Sequence, residues 1–373
     1  MEAGTFFRLG FEALSYYPPF DWQGRMYDRF LASGADARAS PAALDIPTGL
    51  GKTSIIVIWL LALAWQASNG ASRLPRRMVY VVDRRTVVDQ ATDIAVGLRA
   101  SIRNAAPESP AAAIRDGLRL LCLDPDEAGS PLAISTLRGE FADNREWQSD
   151  PARAAIIVGT VDMIGSRLLF SGYGVSRRMR PFHAGLLGQD SLIVHDEAHL
   201  SPAFGNLIGG IRGLQEEANE PRPIRVMELS ATQRGAAAGE VLRLTDEDRA
   251  NPTVARRLEA RKCLRLHAVP AGTRPEDALA ELATAHGAEQ ARVVVYVRSP
   301  KVATAVAYLI EKQAGRDHVA TLTGTIRGHE RDRLVTSALF HDFRAKPCRE
   351  RPERTEYLNP RTLRAGYGEA TSH

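Results

Sequence analysis

Short, almost continuously apolar runs separated by longer amphipathic stretches set the pattern of the first two thirds of the chain. The runs are Ala42 to Ile46, Met78 to Val82, Ala154 to Gly159, Ser191 to His195 and Val226 to Leu229. Little polar alternation within them predicts strands buried on both faces, as in a parallel sheet covered by helices. Lys52 to Ala67, Arg85 to Ile102 and Val161 to Leu169 predict the helices between them. Strand, loop and helix recur in that order, which predicts an α/β fold built on a doubly wound parallel sheet. The stretch Arg103 to Pro131, rich in Ala, Pro and acidic residues, predicts inserted loops and a short helix, and Gly235 to Arg261 reads as helical and charged.

Farther on, Arg292 to Val297 predicts another buried strand, Pro300 to Gln313 a helix, and Val319 to Leu322 a short strand. This resembles the opening of a second α/β domain. From His341 to His373 the pattern breaks: charges are dense, Pro347, Pro352 and Pro360 interrupt, and no apolar run reaches strand length. The expected organisation is a first domain over 1–250, a partial second domain over 251–340, and an aberrant polar tail over 341–373, as a shortened gene product would have.

Composition narrows the picture. With 373 residues and 44% apolar content, two ordinary cores can be buried without staples. Cys122, Cys263 and Cys348 are odd in number, widely spaced and without a CxxC pair. That predicts no structural zinc and a reducing, cytoplasmic compartment. No apolar run approaches the roughly 20 residues of a membrane span, and the N-terminus lacks a basic region followed by an apolar core, so no membrane association is expected. The net charge is +4 and the isoelectric point about 9.0. Nearly all the basic residues are arginine, since lysine occurs only at 52, 262, 301, 312 and 346. A GC-rich genome explains that bias, and +4 alone does not point to nucleic acid.

The strongest chemical signal is Asp45-Ile46-Pro47-Thr48-Gly49-Leu50-Gly51-Lys52-Thr53. A strand runs into a glycine-rich turn and a helix follows at once. Glycines let backbone N–H groups face phosphate oxygens, and the helix start adds positive potential. Pro47 through Thr53 are therefore the candidate ATP-binding residues. Lys52 is placed for the β- and γ-phosphates and the Thr53 hydroxyl for Mg²⁺. Ile46 stands where the commonest phosphate-loop pattern has its first glycine, so the match is to the shorter form P-T-G-x-G-K-T.

A second acidic signal completes the site. The run Ser191 to His195 ends at Asp196-Glu197-Ala198-His199. Asp196 is suited to hold Mg²⁺ through its water shell, and Glu197 to orient and deprotonate an attacking water. His199 is expected to link this tip to Ser230-Ala231-Thr232, with Ser230 and Thr232 as coupling residues. Ahead of the phosphate loop, the Gln23 amide offers the donor and acceptor that an adenine edge requires, and Phe20 or Trp22 is placed to flank the base.

Taken together, Gln23, Pro47 to Thr53, Asp196 to His199 and Ser230 to Thr232 follow the motif order of superfamily 2 helicases. The connecting text adds Val81 to Gln90, Thr136 to Gly139, Gly159 to Met163 and Leu322 to Asp332. With these, residues 15 to 340 resemble the signature helicase-nuclease of type I CRISPR systems, in its I-U (also I-G) subtype. The stretch Gly159 through Phe204 is the most specific part. The resemblance implies a RecA-like ATP-binding domain followed by an incomplete second RecA-like domain. It also implies ATP and Mg²⁺ as cofactors and 3′-to-5′ translocation on single-stranded DNA, with recruitment to the R-loop by a crRNA-guided surveillance complex. Matched by position, Arg84, Arg85, Arg138, Gly139 and Thr160 contact the strand from the first domain, and Arg298, Thr323 and Arg327 from the second.

Three of the family's elements are absent from these 373 residues: a Q-x-x-G-R-x-x-R string, which would name the arginine finger, a recognisable loop after Arg333 coupling ATP to strand movement, and a metal nuclease domain. His341-Asp342 lacks the further ligands such a nuclease needs. ATP–Mg²⁺ binding with weak turnover is therefore expected. A DEAH-type helicase acting on RNA or DNA, a restriction-type translocase and a non-catalytic ATP- or DNA-binding remnant share the same ATP site and remain open alternatives.

Overall fold

The computed structural model describes residues 2–32, 42–70, 73–83, 85–125, 129–137, 145–230, 240–260, 264–288, 291–324, 326, 330, 333–334 and 336–340. The chain divides into two compact units, with the break between Leu258 and Glu259.

The first unit is built on one sheet. Its strands are β1 (Ala43–Asp45), β2 (Arg77–Val82), β3 (Leu132–Leu137), β4 (Ala154–Thr160), β5 (Ser191–Asp196), β6 (Arg225–Ser230) and β7 (Val241–Arg243). They lie in the order β3-β4-β2-β5-β6-β1-β7, and every neighbouring pair is parallel. All strand C-termini therefore open on one edge, which is where ligands bind in open α/β sheets. The alternation within β2 assigns its faces. Met78, Tyr80 and Val82 enter one core and Val79 and Val81 the other.

Helices α1 (Ala3–Ser15), α2 (Asp21–Ala32), α3 (Ile55–Ser68), α4 (Arg85–Arg103) and α5 (Pro110–Arg119) cover the first face. On the second face lie α6 (Glu146–Ser149), α7 (Val161–Leu168), α8 (Arg180–Gly188) and α9 (Pro202–Glu217). Two short helices, α10 (Asp246–Ala250) and α11 (Pro252–Leu258), follow β7. The result is an α/β/α sandwich, as expected.

Apolar on every side, α3 has no polar stripe to offer solvent, which requires a position inside the protein. It packs against α1, α2 and α5, and Ile55 through Ala64 are all buried. At Gly117 in α5 an added Cβ would sit 2.6 Å from the Ala64 carbonyl oxygen, so only glycine permits this approach. Replacing Leu61, which is fully buried, by alanine would cost about 2–5 kcal/mol through lost transfer energy and a cavity. Among the described residues no helix is long and apolar enough to cross a membrane.

The second unit contains α12 (Pro275–Ala288) and α13 (Pro300–Ala314), which pack together with Ala280, Ala283 and Val306 buried. The strands expected at Arg292 to Val297 and Val319 to Leu322 do not form. A strand is stable only as part of a ladder, and among the described residues neither segment joins one. Val294, Tyr296 and Leu322 are 50%, 76% and 52% exposed. In the first unit, the span from Gly235 differs from its charged helical reading in holding the edge strand β7 before α10 and α11.

Candidate nucleotide and nucleic-acid site

The phosphate loop leaves β1 at Asp45 and enters a single 3₁₀ turn over Lys52–Ser54 before α3. Gly49 has φ 87° and Gly51 φ 81°, in the left-handed region where a Cβ is crowded. Ile46 and Leu50 are fully buried and fasten the loop to the core. Pro47 and Thr48 bridge these anchors.

Register places the acidic tip beside the loop. Strand β6 lies between β1 and β5, pairing Asp45 with Ser230 and Asp196 with Leu229. The two loops therefore share one edge of the sheet, and Lys52 Nζ lies 3.4 Å from Glu197 Oε1. Glu197 is held by its backbone N–H donating to the Leu229 carbonyl at 2.9 Å. Its backbone is left-handed, at φ 51° and ψ 47°. For a residue bearing a Cβ, that conformation costs roughly 1–2 kcal/mol. Strain of this kind concentrates at functional sites.

Asp196 receives a hydrogen bond from the Tyr80 hydroxyl at 2.8 Å. Burial and the neighbouring Glu197 charge push its carboxyl above the usual range, while the Tyr80 bond and Lys52 pull it back. His195 before it is buried edge-on against Phe204, at 5.0 Å between ring centroids, and burial pushes its pKa down to about 4. A neutral imidazole there adds no positive charge to the tip. His199 Nδ1 lies 3.4 Å from Glu197 Oε2, Ser230 is buried at the end of β6, and Thr232 lies outside the described residues.

Gln23 sits on the buried face of α2 with Trp22, Met26, Tyr27 and Phe30. Its Oε1 accepts from the Phe20 backbone N–H at 2.7 Å, and its Nε2 donates to Ser54 Oγ at 2.7 Å. The amide expected at the adenine edge thus ties α2 to the turn behind the phosphate loop. Trp22 is fully buried in the core, which removes it as a base neighbour and leaves Phe20. Sequence reading missed Arg257 of α11. Its Nη1 donates to the Gly49 carbonyl, and its guanidinium lies 6.0 Å from the Phe20 ring centroid. No local signal marks that contact, since the two ends are 208 positions apart.

Thr53 and Asp196 are hard oxygen donors of the kind Mg²⁺ takes. Among the described residues no group of three or more His, Cys, Asp or Glu side chains could enclose a metal. The donor set fits an ion held jointly by protein, phosphates and water.

Of the expected strand-contacting residues, Thr160 ends β4 and begins α7, in register with Val82 at the end of β2. Arg85 opens α4 directly beyond that end. Thr136 lies one residue from the end of β3. These ends share the edge that carries the nucleotide loops. Arg84, Arg138, Gly139 and Arg327 lie outside the described residues. In the second unit Arg298 is exposed just before Ser299, which caps α13, and Thr323 is half-buried.

Three solved structures are similar to this chain at low identity. Dbp5 of S. cerevisiae, bound to RNA and ADP BeF3, is 16% identical, with 90% of this chain and 70% of that one covered at a TM-score of 0.49. The Hef helicase domain of Pyrococcus furiosus is 16% identical, over 82% of this chain and 54% of that one, at 0.36. T4 UvsW is 16% identical, over 86% and 55%, at 0.34. No curated protein matches. The family described as Type III restriction enzyme, res subunit, matches residues 16–234. Because that match spans more than half of the 373 residues and takes in both the phosphate loop and the acidic tip, the chain belongs to this family, within the superfamily 2 helicases.

Proposed function

We propose that the chain is the motor portion of a CRISPR interference helicase, which binds ATP–Mg²⁺ and moves on the single strand displaced in an R-loop. The observation that carries the ATP site is the 3.4 Å approach of Lys52 Nζ to Glu197 Oε1 beside the Asp196 carboxylate. In this reading the loop amides and Lys52 hold the phosphates, and Glu197 takes the proton of the water that attacks the terminal phosphorus as ADP leaves. Thr53 and Asp196 would hold Mg²⁺, which neutralises charge on the phosphate oxygens. Gln23 orients the loop, and His199, Ser230 and Thr232 transmit its state to the neighbouring strand ends.

The second RecA-like domain expected over 251–340 is assigned from Glu259 onward, because α11 (Pro252–Leu258) lies in the first unit. A motor indifferent to sequence grips phosphates with hydroxyls, amides and arginines. Thr160 and Arg85 support that role by position, and Arg84, Arg138 and Gly139 are assigned to it from the sequence resemblance alone. Arg298, Thr323 and Arg327 act from the second unit. The crRNA-guided complex as partner rests on the resemblance of Gly159 through Phe204.

A second reading, a restriction-type translocase on duplex DNA, is favoured by the family match over residues 16–234. ATP turnover measured with single-stranded DNA, duplex DNA and RNA separates them. Stimulation by single-stranded DNA alone supports the first reading, and duplex-only stimulation the second. Lys52→Ala is expected to weaken ATP binding at least about tenfold, or 1.4 kcal/mol. Unchanged affinity would overturn both. Lacking a Q-x-x-G-R-x-x-R string, these 373 residues are expected to turn over slowly, because a supplied arginine is worth roughly 10³–10⁵ in comparable enzymes.

A further inference from the structure

The turn between α7 and α8 shows solvent an unusual set of side chains. Leu169, Phe170 and Tyr173 are 61%, 59% and 67% exposed, and Phe182 at the start of α8 is 38% exposed. Arg177 and Arg178 stand exposed in the same turn, and among the described residues neither side chain has a hydrogen-bond or ion-pair partner. The local sequence offers them none. From Met163 to Gln189 there is no Asp or Glu, so positive charge collects beside the rings without a neighbouring carboxylate in the chain.

The backbone adds an independent observation. As α7 ends, the Phe170 N–H donates to the Arg167 carbonyl at 3.1 Å, and the Ser166 carbonyl accepts from the N–H groups of Ser171 at 2.8 Å and Gly172 at 3.0 Å. Phe170 has φ 56°. A helix stop of this kind favours glycine, because a Cβ is crowded there. Gly172 obeys that rule: an added Cβ would meet the Val175 side chain at 2.8 Å. At 170 the chain instead keeps a phenylalanine whose ring lies mostly outside the core. Strain that burial does not offset points to a use for the side chain. The Val175 N–H donates to the Gly172 carbonyl at 3.2 Å, and Arg180 Nε to the Val175 carbonyl at 3.4 Å. The turn is thereby closed on itself, and its rings and arginines are presented on an ordered frame.

Exposed rings beside unpaired arginines suit one class of occupant. Bases stack on aromatic faces whatever their sequence, and guanidinium groups take phosphates. An acidic protein segment would use the arginines and leave the rings without a role. We infer that residues 169–182 form an auxiliary holding point for single-stranded DNA, which carries the strand's track beyond Thr160. Thr160 opens the same helix, and Leu169 lies nine residues on, about 13 Å along the axis. A strand passing Thr160 spans that distance within a few nucleotides. This rests on the assignment of Thr160 to the strand made above.

The test is binding of the full chain to labelled oligo(dT) of about 4 and about 16 nucleotides, the ends of the range that one single-strand site spans, measured by anisotropy over a salt series. Tyr173→Ala is expected to weaken the longer strand about fivefold, the low end for one base stacked on a ring, and to leave the shorter one nearly unchanged. Tyr173→Phe keeps the ring and should bind as the wild type does. Arg177→Ala together with Arg178→Ala should flatten the salt slope on the longer strand by about 1.4, two phosphate contacts at about 0.7 each. Phe170→Gly should weaken the longer strand yet melt no lower than the wild type, since it relieves the backbone as it removes the ring. Wild-type affinity and salt slope on the longer strand in the Tyr173→Ala and double-arginine variants would overturn the holding point while leaving the helicase reading intact. If those variants instead lose binding to poly-glutamate, the turn docks an acidic protein segment and the DNA assignment falls. If the wild type binds neither oligonucleotide, the nucleic-acid reading fails with it.

Discussion

Arg25 and Asp248, 223 positions apart, form a two-pronged ion pair: Nη1 donates to Oδ1 at 3.1 Å and Nη2 to Oδ2 at 2.7 Å. The pair clamps α2, which carries Gln23, to α10 beyond the last strand. Asp248 also closes a capping box with Thr245 at the start of α10. Burial pushes its carboxyl up, but the Arg25 bond, the Thr245 backbone N–H, the Arg25 charge and the Thr245 hydroxyl together hold it below the usual range.

The sign of the pH dependence follows. A carboxylate with a lowered folded pKa binds fewer protons in the fold than in the unfolded chain, so stability rises with pH through that window. The contribution is complete above the unfolded value, about 4, and is lost as pH falls through the lowered one. Arg25→Ala is expected to cost about 2–3 kcal/mol at neutral pH, since it strands a buried carboxylate. Urea titrations at several pH values should show that deficit shrinking below about pH 4. A deficit independent of pH would refute the assignment.

Arg77 opens β2 and is buried, donating to the carbonyls of Leu186 at 2.8 Å, Pro151 at 2.7 Å and Gln189 at 2.6 Å. It thereby fastens the end of α8 and the turn before β4 to the sheet. Burial pushes its pKa down from the usual arginine value, opposed by the Asp190 charge. Arg77→Met keeps most of the volume and strands the carbonyls. The expected loss is about 3 kcal/mol, or a melting temperature lower by roughly 6–12 °C for a unit of this size. Calorimetry reads it directly.

Much of this architecture is legible in the sequence because its signals are local. A buried parallel strand is apolar along its length, so Met78 to Val82 and Ser191 to His195 announce β2 and β5. The phosphate loop announces itself because glycine is needed at 49 and 51, where φ is positive. The missed strands carry weaker signals. Strand β3 is broken by Ser135 and Thr136 directly after a proline-rich tract, and β7 has three residues at an edge. The apolar run Val293 to Val297 misled for the opposite reason, since a strand depends on a neighbour that its own residues do not specify. The contacts that finish the site, Arg257 to Gly49 and Tyr80 to Asp196, join segments brought together only by the fold.

Glu197→Gln keeps the shape of the tip while removing its basicity. ATP affinity is expected to stay within about threefold of wild type, whereas single-turnover hydrolysis falls at least about a hundredfold, the usual worth of a general base. Parallel losses in both would mean that Glu197 serves binding rather than proton transfer.

Arg257→Ala separates support of the phosphate loop from phosphate contact itself. The guanidinium bonds the Gly49 carbonyl and leans over Phe20, so it braces the loop at the glycine whose φ is 87°. Without it the loop samples more conformations, and ATP must fix it on binding. A loss of about 1 kcal/mol, near fivefold in affinity, is expected from one such hydrogen bond. Lys52→Ala should cost more, because it removes charge aimed at the phosphates. A titration of both variants with ATP and with adenosine decides the point. Adenosine carries no phosphates, so its affinity should fall with Arg257→Ala only if the arginine also steadies Phe20 against the base, and Lys52→Ala should leave it unchanged.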